Sequence, residues 1–134
     1  MKPPLTLLYV DDDPDIRTIV GLALALDPAI TARTAASGAA AIAALADADS
    51  IPDAIVLDVM MPDMTGPETL AALRRQPLLR ETPVLFMTAR GRDADIKGYM
   101  ALGAAGVILK PFDPLCLAAQ IRSCVARAES MPDP

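Results

Sequence analysis

The 134-residue chain is long enough for one domain with a buried core, and its 53% apolar content is that of a folded globule. Aromatics make up only 3%, Trp is absent and the net charge is −5, so nucleic acid would find neither stacking platforms nor a basic stripe. Histidine is missing altogether, which excludes imidazole catalysis, imidazole metal ligands and a phosphohistidine relay within the chain.

Residues 1–4 read as a short arm without the length or cleavage site of a signal peptide. No apolar run in the chain approaches the ~20 residues of a membrane span. The first strand is expected over Leu5 to Val10, an apolar run that stops at three acids. Asp13 as N-cap and Pro14 at the first position then open a helix, with Ile16, Ile19, Val20 and Ala23 at helical spacing. Ile30 to Thr34 alternates apolar and polar residues, as a half-exposed edge strand would. Ser37 is placed to cap an Ala-rich helix carrying Ile42 and Leu45.

Ala54 to Leu57 is the third strand. Pro67 starts a helix with Leu70 and Leu73 inward, stopped before Pro77. Val84 to Met87 and Val107 to Leu109 are the last two strands, separated by a helix marked by Ile96, Tyr99 and Met100 and ended by Gly103. Asp113-Pro114 repeats the cap-plus-proline opening, with Ala118, Ile121 and Val125 as the buried stripe of the final helix. Residues 129–134, short, polar and proline-containing, read as a disordered tail. Cys116 and Cys124 fall in that last helix about 12 Å apart along its axis, too far for a disulfide. They read as reduced thiols of a cytoplasmic protein.

Strand and helix alternate five times, which predicts an α/β fold: a parallel sheet with helices on both faces. Ligands of such sheets bind beyond the carboxyl ends of the strands. There the sequence places Asp11, Asp12 and Asp13 after the first strand, Asp58 after the third, Thr88 after the fourth and Lys110 after the fifth. Clustered carboxylates repel unless a cation neutralises them, and an oxygen-only ligand set suits Mg2+. Asp11, Asp12 and Asp58 are the expected metal ligands, with a backbone carbonyl near Met60 as an extra one. Asp58 is the expected nucleophile for a phosphoryl group, and Lys110 with the metal would neutralise its oxygens. The Thr88 hydroxyl would detect their arrival. Asp13 is better explained as a cap, and Asp15 and Asp63 as solvated acids. Arg90 and Arg92, in the loop after Thr88, divide evenly between a solvated loop and a role over the phosphoryl site.

The segments Val10-Asp11-Asp12-Asp13, Leu57-Asp58-Val59-Met60-Met61-Pro62-Asp63-Met64-Thr65-Gly66, Met87-Thr88-Ala89 and Lys110-Pro111-Phe112 resemble the bacterial response-regulator receiver family of two-component signalling. The resemblance runs from about Leu5 to Arg127, with the receiver domain expected over residues 5–128. It implies the flavodoxin-like, doubly wound five-stranded sheet of order 2-1-3-4-5 and a cis Lys110–Pro111 peptide. It also implies Asp58 as phosphoacceptor, Asp11 and Asp12 as the acidic pair, and Thr88 and Lys110 as switch residues. One position departs from the family: the aromatic three residues before the lysine is here Val107, which has no ring to swing between two pockets.

The expected function follows from that resemblance. A sensor histidine kinase or histidine phosphotransfer protein would donate to Asp58, changing the surface of the fourth helix, fifth strand and fifth helix for a downstream protein target. A homodimer through that face is a further expectation. No enzyme activity is expected beyond assistance with its own phosphorylation and dephosphorylation. With the chain ending soon after the fifth helix, a single-domain regulator is expected. Two rival readings are weaker. An aspartate-dependent phosphohydrolase could pair Asp11 with Asp13, but the chain lacks a cap domain. A nucleotide-binding flavodoxin-like protein would need a glycine-rich phosphate loop where this sequence has acids.

Overall fold

The computed structural model describes residues 2–47, 49 and 51–130. The chain forms β1 (Leu5–Val10), α1 (Pro14–Ala25), β2 (Ile30–Ala35), α2 (Gly38–Ala44), β3 (Ala54–Asp58) and α3 (Gly66–Arg74). A 3-10 turn at Pro77–Leu79 leads into β4 (Val84–Thr88), α4 (Asp93–Ala101), β5 (Gly106–Leu109) and α5 (Leu117–Ser130). All strand pairs are parallel and their order is β2-β1-β3-β4-β5, the expected doubly wound flavodoxin-like topology.

The inner strands β1, β3 and β4 are largely apolar because both faces of the sheet are covered there. Alternate residues divide between two cores, as the two-residue period of a strand requires. Leu5, Leu7 and Tyr9 of β1 join Val20 and Leu24 of α1 and Leu117, Ile121 and Val125 of α5. Leu8 and Val10 point the other way, into a core with Leu70 and Leu73 of α3 and Phe86 of β4. β2 is the half-exposed edge.

The helix ends show where local chemistry agreed with the expectations and where it did not. Asp13 caps α1, accepting from the amides of Asp15 and Ile16, and Ser37 caps α2 through the amide of Ala40. α3 begins one residue before Pro67: Thr65 is its N-cap, and a reciprocal bond pair with Glu68 forms a capping box. Ile19, expected inward on α1, is 44% exposed, while Leu24 takes the buried place. α5 starts later than its Asp113-Pro114 signal. The Asp113 carboxylate accepts from the amide of Leu115 and closes a separate turn, so the helix begins at Leu117. Cys116 therefore lies in that turn, exposed, and Cys124 is buried; both are free thiols. α5 carries the backbone through residues 129 and 130, the first two of the expected tail, and residues 131–134 lie outside the described ones. No helix among the described residues is long and apolar enough to cross a membrane.

Candidate functional site

β1 connects to β2 on one side of the sheet, and the chain returns to place β3 on the other side of β1. That reversal opens a crevice at the carboxyl ends of β1 and β3, where open α/β sheets bind ligands. Strand register sets the depth of each functional group. Val10 pairs with Leu57, Asp58 with Met87, and Thr88 with Leu109, so the polar residues ending each strand fall at one rim.

Asp11, Asp12 and Asp58 can each offer one carboxylate oxygen, all within 4.8 Å of one another. Asp11 and Asp58 are buried and Asp12 is exposed, so the cluster is open to solvent on one side. Lys110 reaches in from the end of β5. Its Nζ lies 2.8 Å from Asp58 Oδ1 and 3.5 Å from Asp11 Oδ2. Three carboxylates thus face one ammonium. The surplus of negative charge and the all-oxygen donor set fit a hard divalent cation.

The ionisation of these groups follows from that crowding. Burial pushes the Asp58 carboxyl above its ordinary value; the Lys110 hydrogen bond opposes this, and the Asp11 and Asp12 charges reinforce it. Burial alone would lower Lys110, but its bond to Asp58 and the charges of Asp11 and Asp58 outweigh burial and hold it protonated more firmly. Asp58 is therefore a carboxylate that gains by losing negative charge around it, and Lys110 a fixed cation beside it.

Thr88 is buried at the end of β4, and its hydroxyl accepts from the backbone amide of Arg90 at 3.0 Å. The Lys110 amide donates to the Thr88 carbonyl at 2.8 Å, which ties the ends of β4 and β5 together. The Lys110–Pro111 peptide is cis. Met60 lies two residues beyond β3 and is 64% exposed. Gly66 approaches Asp58 so closely that a methyl group there would sit 2.7 Å from the Asp58 carbonyl oxygen. The amide of Gly66 donates to the Val59 carbonyl, closing the loop beneath Asp58.

Asp13 is engaged as the α1 cap and does not join the carboxylate cluster. Arg90 and Arg92 are exposed in the β4–α4 loop. Two contacts escaped the reading of the sequence. The Tyr9 hydroxyl donates to Asp11 Oδ2 at 2.6 Å, and Arg17 Nη1 donates to the Asp11 carbonyl at 2.8 Å. Tyr9 was legible only as one more apolar residue of β1, although the two-residue strand period puts it on the same face as Asp11. Burial first, then the bond to Asp11 and the surrounding acid charges, drive the Tyr9 phenol far above its usual range.

Comparison with known proteins agrees with this geometry. Residues 7–122 match the model of the response regulator receiver domain. The chain is 35% identical to response regulator Rre1 of Synechocystis sp., over 99% of this chain and 57% of that protein. It is 38% identical to the transcriptional regulatory protein TcrA of Mycobacterium tuberculosis, over 96% of this chain and 48% of that protein. The chain thus spans about half the length of these curated relatives. Among solved structures, the chemotaxis response regulator CheY4 of Vibrio cholerae superposes with a TM-score of 0.80 at 34% identity, over 90% of this chain and 98% of that one. With the acids, the threonine and the lysine standing at the ends of β1, β3, β4 and β5, the chain belongs to the receiver domain family of two-component response regulators.

Proposed function

We propose that Asp58 accepts a phosphoryl group from a phosphohistidine of a partner protein, with Mg2+ held by Asp11, Asp12, Asp58 and the backbone carbonyl near Met60. The observation that carries this reading is the Lys110–Asp58 bond at 2.8 Å, made inside a cluster of three carboxylates. When bound, Mg2+ supplies positive charge that relieves the repulsion among the acids and the incoming phosphoryl oxygens. An Asp58 carboxylate oxygen forms the new bond to phosphorus while the P–N bond of the donor breaks, and the leaving imidazole keeps the electron pair. Lys110 then pairs with the phosphoryl oxygens, and Thr88 turns its hydroxyl proton toward them. The chain has no histidine, so the donor belongs to a sensor histidine kinase or a histidine phosphotransfer protein.

The added charge, about −1.5 to −2 in phosphoresidues, biases a two-state packing at the surface formed by α4, β5 and α5. A downstream protein, or a second copy of this chain, reads that surface. The domain acts on no outside substrate and assists only its own phosphorylation and dephosphorylation. Free thiols at Cys116 and Cys124 and the aspartyl phosphate chemistry support a cytoplasmic setting. Incubation with Mg2+ and a small acyl phosphate tests the reading. Label should accumulate on Asp58 and vanish in Asp58→Asn, whereas equal labelling of that variant would refute it.

A further inference from the structure

We propose that Tyr9 is a positioning residue of the acid cluster: its hydroxyl holds Asp11 in the orientation that seats a divalent cation and keeps it from closing further on Lys110. The inference rests on the reading that Asp11 helps to hold Mg2+.

Tyr9 is the penultimate residue of β1 and only 1% exposed, packed in the core between the sheet and helices α1 and α5. A phenylalanine would fill that space equally well. A hydroxyl buried there costs stability unless it is bonded, so its presence calls for an acceptor. That acceptor is Asp11 Oδ2 at 2.6 Å, with Met87 Sδ, a weak one, at 3.5 Å. The other oxygen, Asp11 Oδ1, accepts from the amide of Asp13 at 3.0 Å. The carboxylate is therefore gripped at both oxygens, one from the core side and one from the loop. Each oxygen has lone-pair capacity left for a cation.

The grip matters because of where Asp11 would otherwise go. Lys110 Nζ and Oδ2 already form an ion pair across a gap of 3.5 Å, looser than the 2.8 Å bond to Asp58. Without the phenol, Asp11 closes that gap. It then competes with Asp58 for Lys110, and the three oxygens within 4.8 Å lose their common centre. Tyr9 thus keeps the shorter Lys110 bond on Asp58 and leaves Asp11 oriented toward the cation. Groups that hold metal-ligating carboxylates typically contribute about 10- to 100-fold to metal affinity.

The test titrates Mg2+ alone into the full chain, reading amide NMR shifts of Asp11, Asp12 and Asp58 in wild type, Tyr9→Phe and Asp11→Asn. Tyr9→Phe should keep the fold, as judged by dispersed core amides, and bind Mg2+ at least tenfold more weakly. Affinity within twofold of wild type, or tighter, overturns the inference. Should wild type show no Mg2+ shifts at these residues, or Asp11→Asn bind as wild type does, the reading beneath it fails as well. A second measurement needs no change at Tyr9. The chain has two tyrosines and no tryptophan, so in Tyr99→Phe the only phenol left is Tyr9. Its near-ultraviolet absorption should shift with Mg2+ at the NMR midpoint, and a phenol indifferent to Mg2+ overturns the inference independently.

Discussion

Lys110 and Asp58 bond to each other across a strand that holds neither of them: β4 lies between β3 and β5, yet the Lys110 ammonium comes within 2.8 Å of Asp58 Oδ1. The span works because the Lys110 amide is anchored to the Thr88 carbonyl, which sets the base of the side chain at the rim. Replacing Lys110 with Ala should slow labelling of Asp58 by on the order of 10²-fold, the usual scale for losing one preorganised charge donor. The Asp58 carboxyl, no longer held down by that bond, should also titrate at higher pH in metal-free protein. Its side-chain carbon NMR signal reads the shift.

Gly66 predicts a coupling between fold and acceptor. A methyl group at this position would lie 2.7 Å from the Asp58 carbonyl oxygen and 3.0 Å from Val59 Cα, both backbone atoms that cannot move cheaply. Gly66→Ala should lose about 1–3 kcal/mol in urea unfolding, the range for forced overpacking. It should also label more slowly than its stability alone accounts for, because the displaced atoms include those of Asp58, the proposed phosphoacceptor.

Asp63, in the loop between β3 and α3, holds a positive φ of 66°. Aspartate and asparagine tolerate this left-handed region, whereas β-branched residues do not. Asp63→Val should therefore cost about 1–2 kcal/mol. Asp63→Asn should melt within a degree or two of wild type. Thermal denaturation of the pair separates a backbone requirement from a role for the charge.

The far end of the molecule carries a pH dependence of its own. Asp27 is buried between α1 and β2, and Arg122 Nε donates to its Oδ2 at 2.7 Å. That bond, opposed by burial and aided by the Ala29 amide, holds the carboxyl below its ordinary value. The unfolded chain thus takes up the proton at higher pH than the folded one. The stabilisation is complete above the usual carboxylate range, roughly pH 4, and fades as pH falls through the depressed folded value. Asp27→Asn should lower Tm clearly at pH 7, and the gap to wild type should narrow below about pH 4. A gap that widens on acidification would contradict the assignment.

Arg90 gives a kinetic prediction. Its amide is tied to the Thr88 hydroxyl, while its side chain lies in an exposed loop beside the site. Arg90→Ala should leave labelling intact and change the lifetime of the aspartyl phosphate, measured as loss of label after the donor is removed. An unchanged lifetime leaves the arginine as a solvated loop residue.

Much of this molecule was legible along the chain because its inner strands are buried on both faces. Such strands read as unbroken apolar runs, and a polar residue at the end of each stands out. That made Asp58, Thr88 and Lys110 visible and fixed the sheet order once the family resemblance was added. What stayed hidden were contacts whose partners are distant or disguised. Asp27 and Arg122 are 95 positions apart, and no local pattern joins them. The Thr65–Glu68 capping box was written in the sequence but overshadowed by Pro67, a louder helix-start signal. Asp113-Pro114 has the composition of a helix start, yet the carboxylate closed a turn first. Ile19 sits at helical spacing but on the margin of a stripe that Val20, Ala23 and Leu24 already fill.

No residue of α4 is fully buried, and its half-buried Tyr99 leans edge-on against Phe86 with ring centres 5.3 Å apart. Phe86 sits two places before Thr88 on the same face of β4. That ring contact ties the helix to the strand that ends in Thr88, while no α4 side chain is fully sunk into the core. A helix held this shallowly can shift against the sheet without unpacking the core beneath it, even though position 107 offers no ring of its own.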